Sequence, residues 1–276
     1  MDPVILILAL PLGILIGFGA GIVGLTAWPI IVPLLFVIAE VPLHESLLSS
    51  LLVDLAIAIT LTLFYSRQSE SEVNFQLGTR FGLVAGVIAM ITAVIAFPLL
   101  EQYSNAFRGG SPIITLALGA VFLVQGIRMN SPITERATVN QDGRLSSLSI
   151  SQKHQMSYIF CILVGFLTGT IAIGGAMNFV IILVFLLGYR TFRAVGTAML
   201  ATTIMLSLTV FVYLVLLSFN ITTLLAVFLY TCGGVLSSYI AVIRAQHIPE
   251  KKLRIIIGLV VIGTALFASA QVYILS

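Results

Sequence analysis

Two long apolar runs, at 4–39 and 158–188, constrain this chain more than any other feature of its sequence. A continuous helix over either run would be about 45 to 55 Å long, whereas the hydrocarbon layer of a membrane is about 30 Å thick. Each run must therefore break. Residues that interrupt helices stand where a break is needed, namely Gly21, Gly24, Thr26 and Pro29 in the first run and Gly169, Gly174 and Gly175 in the second. The sequence predicts two short helices meeting at a turn in each run.

Six further apolar runs, most of single-span length, lie at 47–65, 81–100, 112–126, 194–219, 222–243 and 255–275. Because of these runs, 59% of the 276 residues are hydrophobic and only 8% are charged, a balance that soluble domains do not have. Lipid cannot satisfy backbone polar groups, so the spans are predicted to be helices. The chain is therefore predicted to be an all-α integral membrane protein. Its first run is too long for a signal peptide and is expected to remain in the membrane.

The two long runs match each other when the sequence is shifted by 148 positions. The shift superposes identical residues, including Gly17 on Gly165, Phe18 on Phe166, Gly21 on Gly169, Tyr65 on Tyr213 and Gly86 on Gly234. Identities are sparse, so the shared order of breaks and spans is the stronger evidence for an internal repeat.

The polar stretch at 130–156 separates the two halves and is predicted to be a cytoplasmic linker. We therefore divide the chain into a first membrane repeat at 1–129 and a second at 157–276. Each repeat is predicted to contain a broken or re-entrant helix pair followed by three transmembrane helices.

Basic residues occupy different loops in the two halves. In the first half the second loop is basic and contains Arg67 and Arg80, whereas its counterpart around Asn220 has no basic residue. In the second half the other two loops are basic, through Arg190, Arg193, Arg244, Lys251, Lys252 and Arg254. Since basic loops stay in the cytoplasm, this alternation predicts inverted repeats with both termini in the periplasm. Parallel repeats would place basic loops on both faces of the membrane.

The two breaks are the candidate substrate site, because interrupted helices in inverted-repeat carriers expose polar backbone near the midplane. A helix that begins just after Thr26 or Gly175 points backbone N–H groups and its positive dipole end into a cavity, which suits an anion. Candidate substrate-binding residues lie at the breaks and at matching places on the next spans: Gly24, Thr26, Trp28, Ser49, Ser50, Gly174, Gly175, Asn178 and Thr197. Glycines can instead serve helix packing, as the small-residue ladder of Gly13, Gly17 and Gly21 suggests.

Asp54 is the one carboxylate well inside an apolar span. Burying its charge without a partner would be costly. It is either a proton-coupling residue or a neutral structural residue that is hydrogen-bonded to Ser50 or a neighbouring helix. Its counterpart in the second half is Thr202, so the two repeats do not share this role.

The sequence gives no sign of catalysis or of metal binding. His44, His154 and His247 are scattered through loops, and Cys161 and Cys232 lie in apolar segments without ligand spacing. The chain has no P-loop pattern, so an ATP-driven pump is not expected, and neither is an enzyme or a cofactor. The net charge of +3 is small, and the Lys and Arg residues lie mostly between the apolar runs, so nucleic acid is not an expected partner. The expected partners are a small anionic substrate and the lipid bilayer, and the chain is compatible with a homodimer.

The order of motifs resembles the sulfite exporter TauE/SafE family over nearly the whole chain. In the second half the resemblance rests on three segments: Gly165-Phe166-Leu167-Thr168-Gly169, Ile173-Gly174-Gly175-Ala176 and Ala194-Val195-Gly196-Thr197-Ala198. In the first half Gly17-Phe18-Gly19-Ala20-Gly21 fits. Two other segments there depart from the family pattern, because 24–28 replaces a glycine triplet and 46–50 replaces the second motif.

The resemblance implies transmembrane movement of sulfite, a sulfonate or another small sulfur-containing organic anion. It carries over most directly to Gly174, Gly175 and Thr197. The departures at Thr26 and Trp28 change the size and polarity of the expected pocket. We therefore expect a secondary transporter in the inner membrane, driven either by the proton gradient, with Asp54 as the coupling residue, or by the gradient of the anion itself. The alternative is a passive anion channel.

Overall fold

The computed structural model describes residues 3–67, 73–100, 149–189, 191–217 and 220–245, with isolated positions between 102 and 127 and between 252 and 270. The α-helices described in the first half are α1 (Pro3–Val23), α2 (Trp28–Pro33), α3 (Leu43–Arg67) and α4 (Phe75–Ala96). Those of the second half are α5 (Ile150–Ile171), α6 (Ala176–Ile181), α7 (Thr191–Leu216) and α8 (Ile221–Ala245). The described residues contain no strand, which confirms the all-α prediction. The spans predicted at 112–126 and 255–275 lie outside the continuous described segments.

Five of these helices, α3, α4, α5, α7 and α8, are long and apolar enough to cross a membrane. Their outer faces carry large exposed apolar side chains, including Phe211, Ile221, Phe228 and Leu236. Such a surface is stable only against lipid. The chain is therefore a multi-pass membrane protein.

The helices of the two halves begin and end at equivalent positions. Both α2 and α6 continue into a π-helical turn, at Leu34–Ile38 and Ile182–Leu186, and each boundary recurs after 148 residues. Positive φ angles in the described residues recur with the same offset, in the pairs Gly24 (76°) with Ala172 (57°) and Glu40 (54°) with Gly188 (69°). The two halves therefore share one order of elements and one sequence of turns.

Both long apolar runs are broken, as predicted. Gly24 ends α1 by donating its N–H to the Ala20 carbonyl (2.7 Å), and Ala172 ends α5 through the equivalent bond to Thr168 (2.9 Å). The backbone is then non-helical until Trp28 and Ala176. The prediction of two short helices was only half right, because α1 and α5 have 21 and 22 residues and only the second member of each pair is short.

Glycine ladders pack α1 against α8 and α5 against α4. Gly17 lies against the Gly234 carbonyl of α8, and Gly21 lies one turn further along, against Ser238. This confirms the packing role expected for the α1 ladder. Because the contacts advance together along both helices, α1 and α8 run parallel. Gly165 and Gly169 of α5 contact Ala85 and Ala89 of α4 in the same ascending order, so these two helices also run parallel.

The equivalent helices α3 and α7 contact each other and run antiparallel. The hydroxyls of Thr62 and Thr203 share a hydrogen bond of 3.0 Å. Further along α3, Tyr65 packs on the earlier α7 residue Phe192, with ring centroids 5.0 Å apart, and its Cβ lies next to Gly196. Residues later in α3 therefore contact residues earlier in α7.

The first half folds α1 and α2 into a hairpin. On α3, Ile57 contacts Gly234 and Phe64 stacks on Tyr239, so α3 runs parallel to α8 and hence to α1. The break is bonded to Asp54, eleven residues into α3. From there α2 and its π turn return the chain by about 17 Å, at 1.5 Å per residue, to the start of α3. The break therefore lies inside the bundle rather than at its end.

Candidate functional site

The two breaks meet in the interior of the bundle. The backbone N–H of Met177 donates to the carbonyl of Gly24 across 3.0 Å. Gly175 lies so close to Thr26 that a Cβ on the glycine would be 2.6 Å from the threonine Cβ. Gly24, Gly174 and Gly175 are buried. The structure therefore brings the predicted residues of the two breaks into one place.

Asp54 holds the first break. Its Oδ1 accepts a hydrogen bond from the Ala27 N–H at 2.6 Å, and its Oδ2 accepts one from the Thr26 hydroxyl at 2.5 Å. The Thr26 oxygen in turn accepts from the Trp28 N–H at 3.3 Å, at the start of α2. The carboxylate is only 6% exposed. A buried carboxylate is stable only with such donors, and here the donors come from the break itself.

Asp54 is not bonded to Ser50, which was one of the two partners expected from the sequence. Ser50 donates its hydroxyl to the Leu47 carbonyl of its own helix at 2.9 Å. Asp54 is instead bonded to the neighbouring break, through Thr26 and Ala27. The bonding groups therefore lie outside α3, in the break between α1 and α2 rather than on a helix, and the role of Asp54 stays a prediction.

The second break is held by neutral groups. The Asn178 amide lies 3.5 Å from the Ile173 carbonyl, and the Asn178 N–H donates to the Gly175 carbonyl at 3.3 Å. The Thr168 hydroxyl lies 3.4 Å from the same Ile173 carbonyl, and Gly174 packs directly on the Thr168 side chain. Within the described segments, no ionisable side chain bonds this break.

Trp28 and Ala176 start the two short helices at equivalent positions. The indole is 2% exposed and is among the largest fully buried side chains of the described residues. Ala176 offers only a methyl group, which faces Gly24. The first break is therefore followed by a large buried side chain, whereas the second contains two glycines and is followed by alanine.

Three other predicted site residues have occupied hydroxyls. Ser49 and Ser50 donate to backbone carbonyls one turn back on α3, at 2.7 and 2.9 Å. The Thr197 oxygen accepts the Asn74 N–H at 3.1 Å, where the loop before α4 meets α7. None of these bonds reaches a break, so a substrate contact by these three residues stays a prediction.

Two tyrosines that were not among the candidates secure the ends of the broken helices. The Tyr65 hydroxyl donates to the Gly21 carbonyl at 2.9 Å, and the Tyr213 hydroxyl donates to the Gly169 carbonyl at 3.2 Å. Carbonyls in the last turn of a helix lack a partner within the helix. The sequence did contain the signal, since Tyr65 and Tyr213 match under the same 148-residue shift that aligns the glycines.

The groups at the breaks suit reversible binding rather than chemistry. They are backbone N–H and carbonyl groups, a threonine hydroxyl, an amide and one carboxylate, which can hold a ligand through hydrogen bonds. No group of three or more His, Cys, Asp or Glu side chains that could hold a metal ion was found in the described part of the chain.

The comparisons with known proteins give one match. The model of a family described as Sulfite exporter TauE/SafE matches residues 9–268, which is nearly the whole chain and includes both breaks. No curated protein and no solved structure matches the chain.

Proposed function

We propose that this chain, which belongs to the sulfite exporter TauE/SafE family of membrane transporters, is a secondary transporter that moves a small sulfur-containing anion across the cytoplasmic membrane. The observation that carries the proposal is the contact between the two breaks, where Met177 of one half bonds Gly24 of the other. Irregular backbone is tolerated at membrane depth where it is enclosed by protein or lines a cavity. We therefore propose that the substrate site lies at this contact.

An oxyanion such as sulfite suits this site because its oxygens accept hydrogen bonds on every side. The second break offers backbone at Gly174 and Gly175, which carry no side chain of their own and pack against the side chains of Thr168 and Thr26. Described basic side chains do not bond either break. Binding by neutral donors is weak enough to let the anion leave again, which transport requires. Sulfite, sulfonates and related organic anions all fit this chemistry.

Coupling to protons is supported by the place of Asp54. Its carboxylate is the acceptor for both the Thr26 hydroxyl and the Ala27 N–H. Protonation would remove the charge that these donors stabilise and would thereby loosen the first break. We propose that Asp54 takes up and releases the coupling proton as the break rearranges.

An inverted relation between the halves is supported by helix directions. The equivalent helices α3 and α7 contact each other antiparallel, through Thr62 and Thr203. The contact of α1 with α8 and the contact of α5 with α4 are equivalent, because α5 corresponds to α1 and α4 corresponds to α8. A two-fold axis between the halves requires such a pair of contacts. An axis across antiparallel spans lies in the membrane plane, so we propose inverted repeats.

The orientation follows from the basic residues. Helix directions place five described basic side chains at one end of the bundle: Arg67, Arg80, Lys153, Arg193 and Arg244. Glu40 and Glu45 belong to the other end, where α3 starts. Because basic ends stay in the cytoplasm, we propose that the linker is cytoplasmic and that both termini are periplasmic.

Transport by the purified protein in proteoliposomes tests the proposed function. We expect saturable uptake of radiolabelled sulfite or sulfoacetate, and acceleration by unlabelled anion on the opposite side of the membrane. Uptake without saturation and without this countertransport would instead indicate a passive anion channel. If neither anion moved, the proposed function would be wrong.

A further inference from the structure

The hydroxyl of Thr202 is a buried polar group without a partner in the part of the chain that the structure describes. The side chain is 2% exposed, and its Oγ1 has no hydrogen bond to any described residue. Other threonines of the same helix behave as threonines in apolar helices usually do. Thr203 and Thr209 both donate to the carbonyl four residues back, at 2.9 Å. Leaving a buried hydroxyl without a bond costs about 1 to 3 kcal/mol, so this exception requires an explanation.

Thr202 is the repeat equivalent of Asp54. The two residues are 148 positions apart, the offset that also relates the breaks and the helix boundaries. In the first half, Asp54 reaches from α3 to the break and accepts the Ala27 N–H. The equivalent residues of the second half are Thr202 on α7 and Gly175 in the break. A threonine is too short and too weak an acceptor to replace the carboxylate.

Thr202 lies on the face of α7 that is turned to the second break. Met205 follows it by three residues and therefore shares its face of the helix. The Met205 sulfur lies 3.5 Å from the hydroxyl oxygen of Thr168, which donates to the Val164 carbonyl at 2.7 Å and lies 3.4 Å from the Ile173 carbonyl at the break. The hydroxyl without a partner is thus on the side of α7 where an anion at the second break would lie.

We propose that the transported anion binds at the second break, where Thr202 donates a hydrogen bond to one of its oxygens. This inference rests on the proposed function and assigns its substrate to one of the two breaks. In the first break the Asp54 carboxylate already occupies the equivalent place and bonds the backbone there. The first break is therefore occupied by the carboxylate of Asp54, and the second break binds the substrate. Each chain then binds one substrate anion.

Thr202→Val tests the proposal, because valine keeps the shape of threonine and removes only the hydroxyl. Thr209→Val is the matched control: it is the same change on the same helix, at a buried threonine whose hydroxyl is bonded within α7. Equilibrium binding of radiolabelled sulfite and sulfoacetate is measured on the full chain in nanodiscs. We expect Thr202→Val to raise Kd about tenfold or more, and Thr209→Val to leave it unchanged.

Thr202→Asp provides the second variant, since it would supply the second break with a carboxylate like that of the first. We expect sulfite binding to be lost while thermal unfolding of the purified protein stays cooperative. Equal Kd values for Thr202→Val, Thr209→Val and wild type would overturn the inference while leaving the proposed function intact. Wild-type protein that binds neither probe would overturn both. Should Thr202→Asp fail to fold, the two valine variants decide.

Discussion

The Met177 N–H lies 3.0 Å from the Gly24 carbonyl oxygen, so the interrupted helices of the two halves are bonded directly to each other. In each half, the break is followed by a short helix that leads back along the bundle. Movement of one half relative to the other must therefore alter this contact. A transporter that exposes one site to each side in turn needs such a contact between its repeats.

Gly175→Ala is expected to reduce sulfite uptake about tenfold or more, because its Cβ would lie 2.6 Å from the Thr26 Cβ and would separate the breaks. Gly188→Ala is the control. Gly188 has a positive φ of 69° but nothing within 4 Å of an added Cβ. Its substitution should cost about 1 to 2 kcal/mol of stability through backbone strain and leave uptake per folded molecule unchanged. Comparable loss of uptake in both variants would contradict the role of the contact.

Asp54→Asn is expected to abolish proton-driven accumulation while keeping exchange of anion for anion. The asparagine oxygen can still accept the Ala27 N–H, but the residue no longer carries a proton between two states. With one proton per anion, a pH difference of one unit changes wild-type accumulation about tenfold, since it is worth about 1.4 kcal/mol. Uptake into proteoliposomes with an imposed pH gradient measures this.

Glu45→Gln is the matched control for Asp54→Asn, because Glu45 is also a carboxylate of α3 but lies near its start and accepts from Thr223 at 3.1 Å. It should keep the response to the pH gradient. Retention of the response in Asp54→Asn would rule out Asp54 as the coupling residue.

Tyr65→Phe and Tyr213→Phe are each expected to destabilise the protein by about 1 to 3 kcal/mol, because they leave the Gly21 and Gly169 carbonyls buried without these donors. Tyr230→Phe is the control, since its buried hydroxyl has no partner among the described residues. That change should alter stability by less than about 0.5 kcal/mol. Thermal unfolding in one detergent compares all three variants. If Tyr230→Phe lost as much stability as the other two variants, the hydrogen bonds of the Tyr65 and Tyr213 hydroxyls would not be the cause of the destabilisation.

Single cysteines at Ser66 and Asn220 test the inverted topology. Both residues are exposed, at the end of α3 and just before α8. With Cys161 and Cys232 replaced by alanine, an impermeant maleimide added to intact cells should label Ser66→Cys only after permeabilisation and Asn220→Cys before it. Inverted repeats place these equivalent loops on opposite sides. Labelling of both from the same side would mean that the repeats are parallel.

The sequence predicted the breaks and the repeat because both depend on local properties. Glycine at 24, 174 and 175 and a run too long for one span are visible without knowing any contact. The length of the first helices was wrong because Gly21 and Gly169 do not interrupt a helix here. They lie inside α1 and α5, where a missing side chain lets a neighbouring backbone approach.

Partners across the bundle could not be predicted from the sequence. Asp54 has Ser50 one turn away, yet it bonds a break 27 and 28 residues distant, and only the packing of α2 on α3 makes that choice. Thr202 differs from Thr203 and Thr209 only in what surrounds it. Nothing in the residue type marks Thr202 as the buried threonine whose hydroxyl has no partner among the described residues.

The most direct test of a substrate site between the breaks is a crystal structure of the protein soaked in selenite, a heavier analogue of sulfite whose selenium scatters anomalously. We predict an anomalous peak beside Thr26, Gly175 and Asn178, next to the Met177 and Gly24 contact, that disappears when excess sulfite is added. A peak that sulfite displaces elsewhere in the protein, with none between the breaks, would contradict the account.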